Sequence, residues 1–542
     1  MSHLNTRKFN AVSRFLPVVV AAVALLLAAS AHAAAPGISS STNTFQLDAS
    51  TGYSSQPDGE LIYSWGYGCA TGFTPTYLPA QFASLGFCPT MQLPGPTLIV
   101  KEGGTFTVTL KNGLPAAAGN TSIVFPGLQV LSAVSSTGAQ GLMTAEAAPG
   151  GSVTYVVSVP VGSAGTHPYY SGTQPDLQIE MGLFGAVVVL PSVTYSNCTV
   201  NEGQRQDYRL AQSAYDHPLT CYDREYLFQW SEMDPKIHRQ AEAQVLARVG
   251  CTPGAPGCSL EVAMEPYHPN YFLINGRSMP DDMDPDYAPN YPNQPYNGNP
   301  HMHPGELVLV RTIGQGHWQH PFHEHGNHVR ILARDGNLLL AQSDSALLAG
   351  RMEFNTDTTP GQSFDGIFYW SGKGLTWDIL AHTASNPGNP DCSADVNGYY
   401  TIHSPRPATL PQYNLTTGAF IGGSPNYYEW CADHNVPLEA NPVGAPHVGG
   451  GGPMTLMDPL IITNGLWYNG TAYLGPDAVF RSRGATPLPP GSALQNPPAE
   501  SGIAFMWHSH NEREITTNDV FPGGQLMIML VDPYVWNIDE TL

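Results

Sequence analysis

The chain has 542 residues and a formal charge of −22; only 12% of its residues are charged, while 56 are Gly and 49 are Pro. An acidic balance of that size excludes a grip on nucleic acid or anionic lipid by charge. The Gly and Pro content excludes an architecture of long helices and suits short strands joined by turns.

The first residues address the chain to a compartment. Arg7, Lys8 and Arg14 form a positive start, Phe15 to Ala29 is almost wholly apolar, and Ala31-His32-Ala33 is a small-residue cleavage site. That pattern predicts a secretory signal peptide over residues 1–33. The apolar run is short for a bilayer crossing, and no later stretch is long enough, so no membrane span is expected after cleavage. Cleavage removes three basic residues and no acidic one, which takes the charge from −22 to −25. Export, to the periplasm or beyond it, suits the eight cysteines, all of which follow the cleavage point. Proximity in sequence pairs them as Cys69–Cys88, Cys198–Cys221, Cys251–Cys258 and Cys392–Cys431. None stands beside a histidine in metal-ligand spacing.

Next come two stretches that repeat each other in order. Leu93-Pro94-Gly95-Pro96-Thr97-Leu98-Ile99-Val100 is similar to His303-Pro304-Gly305-Glu306-Leu307-Val308-Leu309-Val310. Pro149-Gly150-Gly151-Ser152-Val153 matches Pro360-Gly361-Gln362-Ser363-Phe364. Gly182 to Val189 matches Gly523 to Leu530. Each pair is a Gly or Pro turn feeding an apolar run, and Thr105 to Leu110 alternates as a half-buried strand should. The ordered set predicts an all-β chain of two homologous β-sandwich domains, at residues 36–195 and 223–542, with 196–222 as a connection. Residues 386–500, rich in Pro, Gly and Asn, read as a long loop-rich insertion in the second domain. Ala241 to Val249 is the one convincing helical stretch.

The densest chemistry runs from His317 to His328, with a partner at Met506-Trp507-His508-Ser509-His510. An H-x-H on a strand puts both imidazoles on one face, because side chains alternate. Two such strands side by side direct four imidazoles, His323, His325, His508 and His510, into one space. Imidazole suits copper and zinc, and also iron and nickel. His323-Glu324 begins an H-E-x-x-H zinc-protease pattern, but position 327 is Asn and the surroundings are strand-like. His301-x-His303, just before a Pro-Gly turn, reads as loop rather than ligand.

His320-Pro321-Phe322-His323-Glu324-His325-Gly326 resembles the H-P-x-H-L-H-G motif of the multicopper oxidases, and His508-Ser509-His510 resembles their C-terminal H-C-H. Pro94-Gly95-Pro96-Thr97 with Glu102-Gly103 is similar to the entry of their first domain, and Gly165-Thr166 through Gly185 to its end. The resemblance implies cupredoxin-like Greek-key sandwiches and bound copper. Carried over, it makes His320 a ligand of the electron-accepting type 1 copper, His323 a ligand of type 2 copper, and His325, His508 and His510 ligands of the type 3 pair. It also implies oxygen as acceptor and a small molecule or metal ion as electron donor. The departures are specific. Ser509 stands where the type 1 cysteine belongs and Glu514 where its second histidine belongs. Thr121 to Leu128 and Tyr169-Tyr170-Ser171-Gly172 replace the first domain's two H-x-H motifs. Tyr169, Tyr170 and Asp176 are the side chains left to stand near a metal there. Glu512 and Glu514 read as solvated loop charges, or else as partners orienting imidazoles. The expected function is therefore a copper-dependent oxidoreductase with a reduced copper set. Copper binding without catalysis, and a structural role without metal, stay open as alternatives. A trimer is one arrangement that two-domain relatives use.

Overall fold

A computed structural model describes residues 35–198, 209–302, 306–370 and 502–531, with Ile538 and short strands at Gln412–Tyr413, Phe420–Gly422 and Thr471–Tyr473. The expected signal peptide, Cys392, Cys431, His303 and nearly all of the 386–500 insertion lie outside these residues.

Strands pair into two sandwiches. In the first, one sheet runs Thr76–Leu78, Gly37–Ser39, Leu98–Lys101, Phe184–Leu190, Gly165–Tyr170. The facing sheet runs Leu61–Cys69, Thr44–Ser55, Gly104–Asn112, Ser152–Val159, Gln129–Ser135. Alternation builds the core between them. Phe106, Val108 and Leu110 of the 104–112 strand point inward, where they meet Trp65, Tyr155 and Val157. In the second, Tyr271–Ile274, Arg224–Met233, Leu307–Gly314, Ser363–Tyr369, Val329–Arg334 and Asn337–Leu338 form one sheet. His301–Met302, Leu526–Val531, Gly502–Ser509, His320–Glu324 and Asn355–Thr358 form the other. Phe228, Phe322, Phe368 and Trp507 pack edge to face between them, with Phe505 in the same buried cluster.

The pairing corrects one of the three sequence repeats. Leu307–Gly314 pairs parallel with Arg224–Met233 and antiparallel with Ser363–Tyr369. Its counterpart by pairing is Gly104–Asn112, parallel to Thr44–Ser55 and antiparallel to Ser152–Val159. It is not Leu98–Lys101, which lies in the opposite sheet. Both are apolar runs after a turn, and only hydrogen-bonded neighbours tell them apart. The other two repeat pairs do occupy matching places.

The helix also begins earlier than expected, spanning Pro235–Ala247. Asp234 accepts a hydrogen bond from Lys236 N, and Pro235 fills the first helical position, where its missing N–H costs nothing. A second short helix, Pro175–Glu180, precedes the 184–190 strand. No helix among the described residues is long and apolar enough to cross a membrane.

Cys69–Cys88, Cys198–Cys221 and Cys251–Cys258 are disulfides, and no described cysteine is free. Cys69 is buried at the end of the 61–69 strand, and its bridge closes a 19-residue separation. Replacing Cys69 and Cys88 by Ser together is expected to lower stability by about 3 kcal/mol, through the longer loop the unfolded chain is then free to explore. Denaturant unfolding of the two-site variant checks this.

Candidate metal centre

The second sandwich places its histidines by strand parity. The 320–324 strand lies antiparallel to 502–509, with Phe322 opposite Ser509 and His323 opposite His508. His320, Phe322 and Glu324 face the core, as do Phe505, Trp507 and Ser509; all six are buried. His323 and His508 therefore point to the other face, as do His325 and His510 beyond the strand ends.

Three of these imidazoles converge. One ligand nitrogen each from His323, His325 and His508 lies within 4.8 Å of the others, and this is the one such group found among the described residues. Nε2 of His325 and Nε2 of His508 are 3.1 Å apart. His508 Nδ1 donates to the Ser509 carbonyl at 2.6 Å, which fixes the tautomer and leaves Nε2 as a lone-pair donor toward the centre. Trp507 Nε1 donates to the His325 carbonyl at 2.9 Å and holds that backbone from the core side. His323 Nδ1 is buried without a hydrogen-bond partner. The His510 ring lies 4.8 Å from that of His323 and 5.6 Å from that of His508, and its side chain is 53% exposed. It borders the cluster on the solvent side, and the half-exposed Phe354 flanks His323.

The donor set fits a metal cation. Burial, and then the neighbouring His508 and His510, push His323 down to about 4. Burial, with His510 nearby, also lowers His508. Both are uncharged at neutral pH, so their lone pairs are available. Three imidazole nitrogens that converge within 4.8 Å, with His323 and His508 uncharged, form the kind of donor set that copper or zinc takes.

His320 does not join them, which corrects its expected role as a metal ligand. Its parity turns it to the opposite face, and both ring nitrogens are engaged: Nδ1 with Glu514 Oε2 at 2.8 Å and Nε2 with Glu232 Oε2 at 2.9 Å. Burial would push His320 down, but the hydrogen bonds and charges of Glu232 and Glu514 outweigh it and raise it to about 9. The ring is a buried imidazolium between two carboxylates. Glu514 is likewise not a solvated charge: it is 1% exposed and also accepts from Ser509 Oγ and from Asn511 Nδ2. Glu512, two residues earlier, does project into solvent. Glu232 accepts in addition from the backbone of His317 and Trp318 and from the Tyr267 hydroxyl. Sequence reasoning missed Glu232; the signal was one carboxylate inside the aromatic-rich strand segment 226–233.

The first sandwich offers no matching imidazoles. At the corresponding corner Val124 pairs with Tyr170, and Thr121 with Ala147. Tyr169 packs inside that sandwich and donates to the Pro96 carbonyl at 2.8 Å. Asp176 lies on the 175–180 helix. His301 belongs to a two-residue strand rather than a loop, and its backbone N–H donates to the Tyr226 hydroxyl.

A multicopper oxidase family profile matches residues 89–194. Among solved structures, a blue copper oxidase from Nitrosomonas europaea is similar at 14% identity and a TM-score of 0.43, covering 90% of this chain and 85% of that one. A copper nitrite reductase from the same organism is similar at 15% identity and 0.35, covering 60% and 83%. A laccase from Botrytis aclada is similar at 19% identity and 0.34, covering 62% and 47%. No curated protein matches the chain.

Proposed function

We propose, from the match of residues 89–194 to a multicopper oxidase family model and from the histidine cluster, that the chain is an exported, copper-binding oxidoreductase with a single histidine-only metal centre. His323, His325 and His508 hold the metal, and His510 closes the set from the solvent side. Bound copper would supply one-electron redox chemistry at that face. The electron donor is a small molecule or a metal ion, and the acceptor is oxygen. One observation carries this reading: three imidazole nitrogens within 4.8 Å on one face of the sheet. Export is supported by the leader-like start of the sequence and by three disulfides.

The chain's own residues prepare the site. The Ser509 carbonyl orients His508, the Trp507 indole orients the backbone of His325, and burial keeps His323 neutral. No thiolate stands on either face of the 502–509 strand, so no intense blue absorption is expected. Copper loading of the purified chain should retain one or two ions per molecule. Electron paramagnetic resonance should show a nitrogen-ligated cupric site without a strong thiolate charge-transfer band. A chain that retains no copper refutes the reading.

A second reading, copper binding without turnover, draws on the inner face. There Glu514 accepts hydrogen bonds from both Ser509 and His320. Oxygen uptake by the copper-loaded chain, with phenols or manganous ion as donor, separates the two readings.

A further inference from the structure

The histidine at the solvent edge of the centre has no polar anchor of its own among the described residues beyond a long contact to the exposed Glu512, 3.6 Å from its Nδ1. What fixes His510 is its backbone. Its N–H donates to the Pro321 carbonyl at 2.8 Å. On one side Ser509 turns its hydroxyl inward to Glu514; on the other, Asn511 gives its side-chain amide to Glu514 at 2.8 Å and its backbone N–H to Ser509 Oγ at 3.2 Å. The Glu514 backbone N–H closes the loop by donating to the Asn511 carbonyl at 2.8 Å. One buried carboxylate therefore holds the residues before and after His510, and the chain wraps around it from 509 to 514.

The same carboxylate is tied across the sheet. Glu514 Oε2 accepts a hydrogen bond from Nδ1 of His320 on the neighbouring strand, and His320 is anchored by Glu232 on the 224–233 strand of the facing sheet. We propose that Glu514 is a positioning residue for the metal centre: through Ser509 and Asn511 it fixes the 509–511 backbone, and thereby places His510 as the fourth ligand, while His320 and Glu232 hold Glu514 in register with the 320–324 strand. It never touches the metal, because it lies on the face opposite to His323, His325 and His508. Charge-assisted hydrogen bonds to a buried carboxylate are short and strong, which suits them to hold a loop that packing leaves half open. This inference rests on the proposed histidine centre, and its test has an arm that does not.

The test compares the full chain with Glu514→Gln, which keeps the shape but puts an amide donor where an acceptor stands. Copper binding is read by competition with a chelator of known affinity, and the cupric site by electron paramagnetic resonance. The three inner histidines keep the ion in the variant, but affinity falls roughly ten- to hundredfold, the range for removing a partner that orients a ligand. The nitrogen hyperfine pattern changes as one ligand is lost. The metal-free arm is imidazole nitrogen NMR: the His510 resonances shift and broaden in Glu514→Gln relative to the parent. Unchanged affinity and an unchanged cupric spectrum overturn the proposal, and so does an unchanged His510 resonance in the metal-free chain. A parent chain that binds no copper overturns the histidine centre instead, leaving the NMR arm to decide the clasp. Should Glu514→Gln fail to fold, Ser509→Ala removes one bond of the clasp and is held to the same outcomes with a smaller shift.

Discussion

Replacing His508 or His325 by Ala abolishes tight copper binding while the sandwich stays folded. Each supplies one of the three nitrogens that converge among the described residues, so the loss should exceed the ~100-fold upper end seen when a mere orienting partner is removed, on the order of 3 kcal/mol or more. The fold survives because both side chains lie on the outer face of the sheet. The core beneath, Phe505, Trp507 and Phe322, is untouched. The parent chain should gain about 2.7 kcal/mol of apparent stability at a free copper concentration a hundred times its dissociation constant, and the variants almost none. Thermal melting with and without copper reads both effects together. If both variants keep their copper, the ligand set assigned to this centre is wrong.

His320→Leu has the other large effect, and it falls on stability. The substitution leaves Glu232 and Glu514 buried without their shared imidazolium, and breaking a buried charged pair in this way costs about 3–5 kcal/mol. The pH dependence follows from the same contact. His320 titrates at about 9 in the folded chain and near ~6.5 when unfolded. A folded value above the unfolded one means the folded state holds its proton more tightly. The stabilisation is thus fully present below pH ~6.5 and is lost as the pH rises through about 9, a span worth on the order of 3 kcal/mol. Denaturant unfolding at pH 6 and pH 9.5 should show this loss in the parent and a much flatter profile in His320→Leu. Equal pH slopes in the two chains would show that the imidazolium is not held between the carboxylates.

Alternation made much of the centre legible in advance. The spacing of His323 with His325, and of His508 with His510, predicts four imidazoles on one face, because the period of a strand is two; three of them converge, and His510 borders them on the solvent side. The same rule, applied to the three-residue step from His320 to His323, separates His320 from the others. What sequence could not show was long-range partnership. Glu514 lies in the stretch Asn511-Glu512-Arg513-Glu514, which reads locally as a solvated turn. It is buried because a histidine 194 positions earlier folds against it. Glu232 is 88 positions from the same ring. The mistaken repeat pair has a similar cause. Leu98–Lys101 and Leu307–Gly314 share a turn and an apolar run, and nothing within either run states which strand will lie beside it. The early start of the 235–247 helix, by contrast, was written in Asp234-Pro235, a capping signal followed by a proline.

The strand Gly502–Ser509 carries two sets of instructions in one tract, with His508 of the histidine cluster on one side and Trp507, Phe505 and Ser509 on the other. A substitution edits one set and spares the other, so metal affinity and core packing can drift apart in descent. An insertion or deletion of one codon between 505 and 508 does not respect that division, since a slip of one residue turns every following side chain to the opposite face. It would put an indole in solvent and an imidazole in the core together. In this tract a substitution can act on one face alone, but the number of residues is a constraint on both.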